Sequence, residues 1–298
     1  MVSSVGRRFW VLLAALFFPV LFSTLASAAR DYSVQAQTIV LPSGDFADVY
    51  VPEIPYDLRN KFVSAFPLIV FLQGANVDKS NYSKLALRVA AEGFVLVIPN
   101  HYRAIPSLAP PTPGLYAEVS EVTDVLDGIT AEDMDSASAL AGIVDLGRMG
   151  VAGHSLGGAV GIDAAAGVCE FPLCTGSYTR PAALRAAIFY GTNEINPESG
   201  TIVDRNTSGV AVALLPGTSD GIAAPAAADS TLPTLALPHG LVSIAGANHY
   251  GICNTNNPSG ASPDPNVPTV PQSMSVDYIA GWVVQWFETN LPVSHDAS

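Results

Sequence analysis

Arg148-Met149-Gly150-Val151-Ala152-Gly153-His154-Ser155-Leu156-Gly157-Gly158-Ala159 is the stretch on which the reading of this chain turns. Met149, Val151 and Ala152 form a short apolar run that reads as a buried strand. Gly153-His154-Ser155-Leu156-Gly157 follows at once, and Gly158 to Ala166 is compatible with a helix. Strand, G-x-S-x-G and helix in that order are the context of a nucleophile elbow. So tight a turn holds Ser155 in a strained backbone conformation, with Gly153 and Gly157 beside it because side chains there would collide. It lifts the Ser155 hydroxyl clear of the sheet and sets free helix N–H groups behind it.

The chain before and after this stretch alternates between strand and helix patterns. Tyr32 to Leu41 and Ala47 to Val51, joined by Pro42-Ser43-Gly44-Asp45, read as an antiparallel hairpin at a sheet edge. Pro67 to Leu72 is continuously apolar, as a central parallel strand buried on both faces should be. Helical spacing over Tyr82 to Glu92 is ended by Gly93, and the strand Phe94 to Ile98 is expected to stop at Pro99. A Pro-rich loop spans Ile105 to Gly114, and Leu115 to about Leu126 is amphipathic. Beyond the elbow, strands are expected at Leu184 to Tyr190, Gly209 to Leu215 and Leu241 to Ile244, and a closing helix at Val276 to Phe287. The alternation predicts an α/β fold with a mostly parallel central sheet and helices on both faces.

Arg7 and Arg8, the apolar run Phe9 to Phe22 and Ala26-Ser27-Ala28 have the three-part layout of a secretory signal peptide. Cleavage after Ala28 would leave 270 residues, a length suited to one large α/β domain rather than two small ones. The expected product is exported, to the periplasm or the medium, with no stable membrane insertion. Composition agrees with a large buried core, since 49% of residues are hydrophobic and 13% charged. Removing Arg7 and Arg8 from the 13 basic residues leaves 11 against 26 acidic ones, a net charge of −15. A surface of that sign repels phosphate backbones, so nucleic acid is excluded as a partner. In an exported chain the close pair Cys169 and Cys174 is expected to form a disulfide, leaving Cys253 free. Sequence does not fix connectivity, so pairing of Cys253 with either stays open. The sulfurs and histidines show no metal-ligand spacing.

A serine hydroxyl needs a neighbouring base to become a nucleophile near neutral pH. After the elbow the acid and then the base should stand at the C-terminal ends of later strands. His154 is adjacent to Ser155 and points away, His295 is in the tail, and His239 precedes a strand at the wrong edge. His249 follows the last strand through Ala245-Gly246-Ala247-Asn248 and is the expected base. Asp220 lies just past strand Gly209–Leu215 and is the expected acid. Asp229 is too deep in the next segment, and Asp145 suits a turn or cap. The oxyanion needs two fixed N–H donors. Leu156, after the nucleophile, supplies one, and Ala75 supplies the other from the Gln73-Gly74-Ala75-Asn76 loop, which Gly74 lets approach closely. Gln73 is expected to support that loop by hydrogen bonding.

These residues resemble the α/β-hydrolase superfamily, and within it the chlorophyllase-like and cutinase-like polyester hydrolase group. The resemblance runs from about Phe66 to Gly251. It is carried by Asn81-Tyr82-Ser83 with Leu85, Val89-Ala90 and Gly93-Phe94, and by Val144-Asp145 with Arg148-Met149-Gly150-Val151 and Gly153-His154-Ser155. It implies an α/β-hydrolase fold and a triad on Ser155, Asp220 and His249, with oxyanion donors on Ala75 and Leu156. The loop that usually begins His-Gly or Pro-Gly and continues with an aromatic reads Gln73-Gly74-Ala75 here. The activity implied is hydrolysis of a small-molecule or lipid ester through an acyl-enzyme, with no cofactor. A peptidase or thioesterase on the same triad, or a binding protein that retains the fold, are the competing readings.

Overall fold

Phe66–Leu72 is apolar and buried at every position, so it must lie inside a sheet covered on both faces. In the computed structural model, which describes residues 31–54, 65–105, 112–196 and 199–291, this run is β3 of an eight-stranded sheet. β1 (Val34–Val40) and β2 (Phe46–Pro52) form the antiparallel hairpin at one edge, and β2 pairs antiparallel with β4 (Val95–Asn100). From β4 the order continues through β3, β7 (Val144–His154), β8 (Leu184–Tyr190), β9 (Ala211–Leu215) and β10 (His239–Leu241), all parallel. A small separate hairpin joins β5 (Tyr102–Ala104) to β6 (Pro113–Leu115).

The period of two along the strands divides the core in two. Leu68, Val70 and Leu72 of β3 face a layer built from α2 (Glu121–Met134) and α3 (Leu156–Ala166), including Val122, Val125 and Val160. Ile69 and Phe71 face the opposite layer, where α1 (Ser83–Ala91) and α5 (Gln272–Asn290) contribute Leu85, Val89, Ile279, Val283 and Phe287. The sheet is therefore mostly parallel with helices on both faces, as the sequence pattern predicts. Among the described residues no helix is long and apolar enough to cross a membrane.

Three sequence expectations are corrected, and one element is added. β4 runs through Pro99 to Asn100 instead of stopping at it. Pairing with β3 ends at Val97, so Pro99 lies opposite Ala47 of β2 alone, where a missing N–H is tolerated. The amphipathic stretch begins as loop, and α2 starts only at Glu121, because Arg103 binds the carbonyls of Tyr116 and Ala117 that a helix would need. The last strand is His239–Leu241 rather than Leu241–Ile244, since β9 aligns Val212 with His239; Ile244 keeps only an isolated bridge to Gly217. A short helix α4 (Pro225–Thr231), with proline in its first turn, was not expected at all. The signal-peptide expectation on residues 1–28, the tail containing His295 and most of the Pro-rich loop lie outside the described residues.

Candidate active site

β7 ends at His154 and α3 starts at Leu156, so Ser155 alone makes the turn between them. It does so at φ 54° and ψ −121°, a left-handed conformation rare outside glycine. The flanking glycines leave the space this needs. A Cβ on Gly153 would stand 2.5 Å from the Gly157 carbonyl oxygen, and one on Gly157 would stand 2.2 Å from that of Leu72. Gly161 on the same helix lies against Phe189, where a Cβ would be 2.2 Å from the ring. Each glycine in a helix interior costs about 1 kcal/mol relative to alanine. Here they bring α3 onto β3 and β8 and fix where the serine projects.

The elements that follow deliver the other two side chains. His249 Nε2 is 2.8 Å from Ser155 Oγ, and His249 Nδ1 is 2.9 Å from Asp220 Oδ2. A carboxylate only accepts, so Nδ1 carries the proton and Nε2 is left as the acceptor for the serine hydroxyl. The other Asp220 oxygen accepts the N–H groups of Ile222 (2.9 Å) and Ala223 (2.7 Å), which holds the carboxylate in one orientation. Both residues are buried, Asp220 at 4% exposed and His249 at 2%. Gly191, at φ 60°, covers their contact: a Cβ there would meet Asp220 Oδ2 at 3.1 Å and His249 Nδ1 at 3.2 Å. The loops bearing acid and base are also joined through their backbones, with the N–H of Ser219 donating to the carbonyl of Ala247 at 2.9 Å.

The loop after β3 reaches the same edge of the sheet. Gly74 lies against His154, where a Cβ would be 2.7 Å from the ring, so the close approach read from the sequence is present. Gln73 is fully buried; with its amide oriented to satisfy its surroundings, it donates to Pro99 O (3.0 Å) and accepts from the His101 N–H (3.1 Å). Asn76 adopts φ 56°, which asparagine tolerates better than most residues. Its N–H donates to Leu115 O at 2.7 Å, and its side-chain oxygen accepts the Leu115 N–H at 3.1 Å. Between these anchors the Ala75 N–H has no partner among the described residues, and neither has that of Leu156 at the start of α3.

His154, read from sequence as pointing away from the nucleophile, is completely buried beneath it. Its Nε2 faces the His249 carbonyl at 2.9 Å and must donate, so Nδ1 accepts from the Tyr82 hydroxyl at 3.0 Å. Tyr82 in turn accepts the Gly74 N–H at 2.9 Å. Burial, and then the neighbouring His249, hold His154 neutral well below the ordinary histidine range. One chain of hydrogen bonds thus links the loop of Ala75 to the loop of His249. Tyr82→Phe leaves the buried Gly74 N–H unpaired, which costs about 1–3 kcal/mol. We expect a lower urea midpoint and a roughly tenfold lower kcat with KM little changed. An unchanged kcat would separate this chain of bonds from turnover.

The rejected candidates lie elsewhere. Asp229 is exposed on α4, Asp145 pairs with Arg148, and His239 bonds Leu235 O through Nδ1 at 2.9 Å. Cys169 and Cys174 are bonded to each other, as expected, and Cys253 is buried and free. Among the described residues no group of three or more His, Cys, Asp or Glu side chains is placed to hold a metal ion. Two residues at the site were not foreseen. Tyr82 enters the sequence reading only through helical spacing and the Asn81-Tyr82-Ser83 resemblance, neither of which points to a role at the site. Asp264, in a stretch that reads as a polar surface loop, accepts the His249 N–H at 2.7 Å.

The family model for chlorophyllase matches residues 59–177, which takes in the loop of Ala75, the Ser155 turn and α3. Asp220 and His249 fall beyond the matched region. No curated protein matches the chain. The family points to hydrolysis of esters, and the sheet order agrees with it. Over the segment that carries the Ser155 turn the chain is similar to the chlorophyllase family, and its mostly parallel, doubly covered sheet is the α/β fold expected beside that likeness.

Proposed function

We propose that the protein is an exported serine esterase that works through an acyl-enzyme. The observation that carries this reading is the continuous hydrogen-bonded row from Asp220 through His249 to Ser155, with the serine on a strained turn. Ser155 Oγ attacks the ester carbonyl as His249 Nε2 takes its proton, and the N–H groups of Ala75 and Leu156 receive the oxyanion. The protonated imidazole, stabilised by Asp220, then gives its proton to the leaving alcohol. Water repeats the sequence in reverse and releases the acid. The site needs no cofactor for these steps.

The substrates proposed are soluble short-to-medium acyl esters. The support is the makeup of the rim. No described part of Gln73–Lys79, His101–Pro113, Gly191–Ser208 or Ile252–Pro271 forms a helix of two turns or more, as a mobile lid over the serine would. A fluorophosphonate probe should label Ser155 stoichiometrically, and hydrolysis of a short-chain ester should saturate smoothly through its solubility limit. Absence of labelling would favour a binding protein on this fold. A sharp rise in rate at the limit would indicate interfacial activation and a lipase.

A further inference from the structure

Asp264 lies in Asn254–Pro271, a stretch rich in Asn, Pro, Ser and Gly, yet only 6% of it is exposed. Its carboxylate is surrounded by main-chain donors. Oδ2 accepts the His249 N–H at 2.7 Å, Oδ1 accepts the Asn266 N–H at 2.8 Å, and the Gly221 N–H lies 3.2 and 3.3 Å from the two oxygens. The Asp264 N–H itself donates to Asn257 Oδ1 at 2.9 Å, with Asn257 at φ 49°. Gly221 follows Asp220 directly in sequence. One buried carboxylate therefore grips the backbone of the base and the backbone next to the acid. The approach needs glycine, because a Cβ on Gly221 would stand 2.6 Å from Asp264 Oδ1. Charge-assisted bonds of this kind are roughly twice as strong as neutral ones.

We infer that Asp264 is a positioning residue of the triad, setting the distance between Asp220 and His249 through their backbones and favouring the protonated imidazole by its charge. This rests on the esterase reading of the same site. The titratable groups facing the imidazole are Asp220 at Nδ1, His154 with its ring centre 4.8 Å away, Tyr250 edge-on at 5.2 Å, and Asp264 behind the amide. His154 is held neutral and the Tyr250 phenol is pushed up to about 12 by burial and then by Cys253, so the facing negative charges are those of Asp220 and Asp264. Asp264→Asn replaces one acceptor oxygen with an NH2 group that faces an N–H, and it removes the charge. A displacement of about 1 Å at the base is enough for a loss near 10²-fold.

The test is Asp264→Asn and Gly221→Ala alongside wild type, with active sites titrated by a fluorophosphonate so that kcat is expressed per labelled site. Asp264→Asn should lower kcat per site by about 10–100-fold with KM within about twofold. It should also move the acid limb of kcat/KM toward lower pH by about half a unit to one unit, since the protonated base loses a nearby negative charge. Gly221→Ala displaces the carboxylate but keeps the charge, so it should lower kcat per site without that movement of the limb. It also carries the test if Asp264→Asn does not fold. A wild-type kcat per labelled site in either variant, or an unmoved limb in a folded Asp264→Asn, would overturn the inference. Failure of wild type itself to label would overturn the esterase reading instead.

Discussion

Ser155→Ala is expected to reduce ester hydrolysis by about 10³–10⁶-fold and to leave the fold intact. Among the described residues the hydroxyl makes a single hydrogen bond to another side chain, the one to His249 Nε2, so its removal orphans no buried donor there. Position 155 already holds a residue with a Cβ at φ 54°, and alanine adds nothing to that strain. His249 keeps Asp220 and the Asp264 contact, and His154 keeps Tyr82. Thermal unfolding should therefore stay within a few degrees of wild type. Comparing initial rates on a chromogenic short-chain ester with a melting curve separates the two effects. Near-wild-type turnover in a folded variant would remove Ser155 from the chemistry altogether.

Gly157→Ala should have the opposite profile, with fold and activity failing together. The added carbon would stand 2.2 Å from Leu72 O and 2.5 Å from Gln73 O, backbone atoms of the central strand and of the loop behind Ala75. Neither can rotate aside as a side chain would. α3 must move off β3, taking the Leu156 N–H away from the edge it shares with Ala75. Overpacking of this kind costs about 1–3 kcal/mol, and more where backbone must shift. We expect an unfolding free energy in urea lowered by at least that amount and a loss of kcat of about 10²-fold or more. Gly281 is the internal control, as it lies inside α5 with no atom of the described residues within 4 Å of the added carbon. Gly281→Ala should stabilise by roughly 0.5–1 kcal/mol through helix propensity alone. Equal effects at the two positions would mean that contact with β3 is not what reserves Gly157 for glycine.

The residues that were easy to read carry their constraint locally. Pro67 to Leu72 has no polar position, which is compatible with few settings besides a strand buried on both faces. Asp220 and His249 were reachable because each follows a strand whose direction is implied by the parallel alternation, so chain order stands in for position. Where that order misled, a distant group had intervened. Arg103 takes the carbonyls that would have opened α2 earlier, and the register of β9 starts β10 two residues upstream of the apolar stretch Leu241–Ile244.

From the amino-acid order alone follow the sheet class, the strained Ser155 turn and the three side chains that meet there. Tight turns, glycine spacing and strand periodicity are short-range demands, written within a few adjacent residues. The packing of distant segments had to supply Asp264 beneath His249, Tyr82 and His154 between the two loops, and Gly191 over the Asp220 contact. In these contacts a side chain meets a backbone group or a ring 15 to 95 residues away. A carboxylate that will grip an amide looks in sequence like any polar loop residue, because its partner is chosen only when the chain has folded.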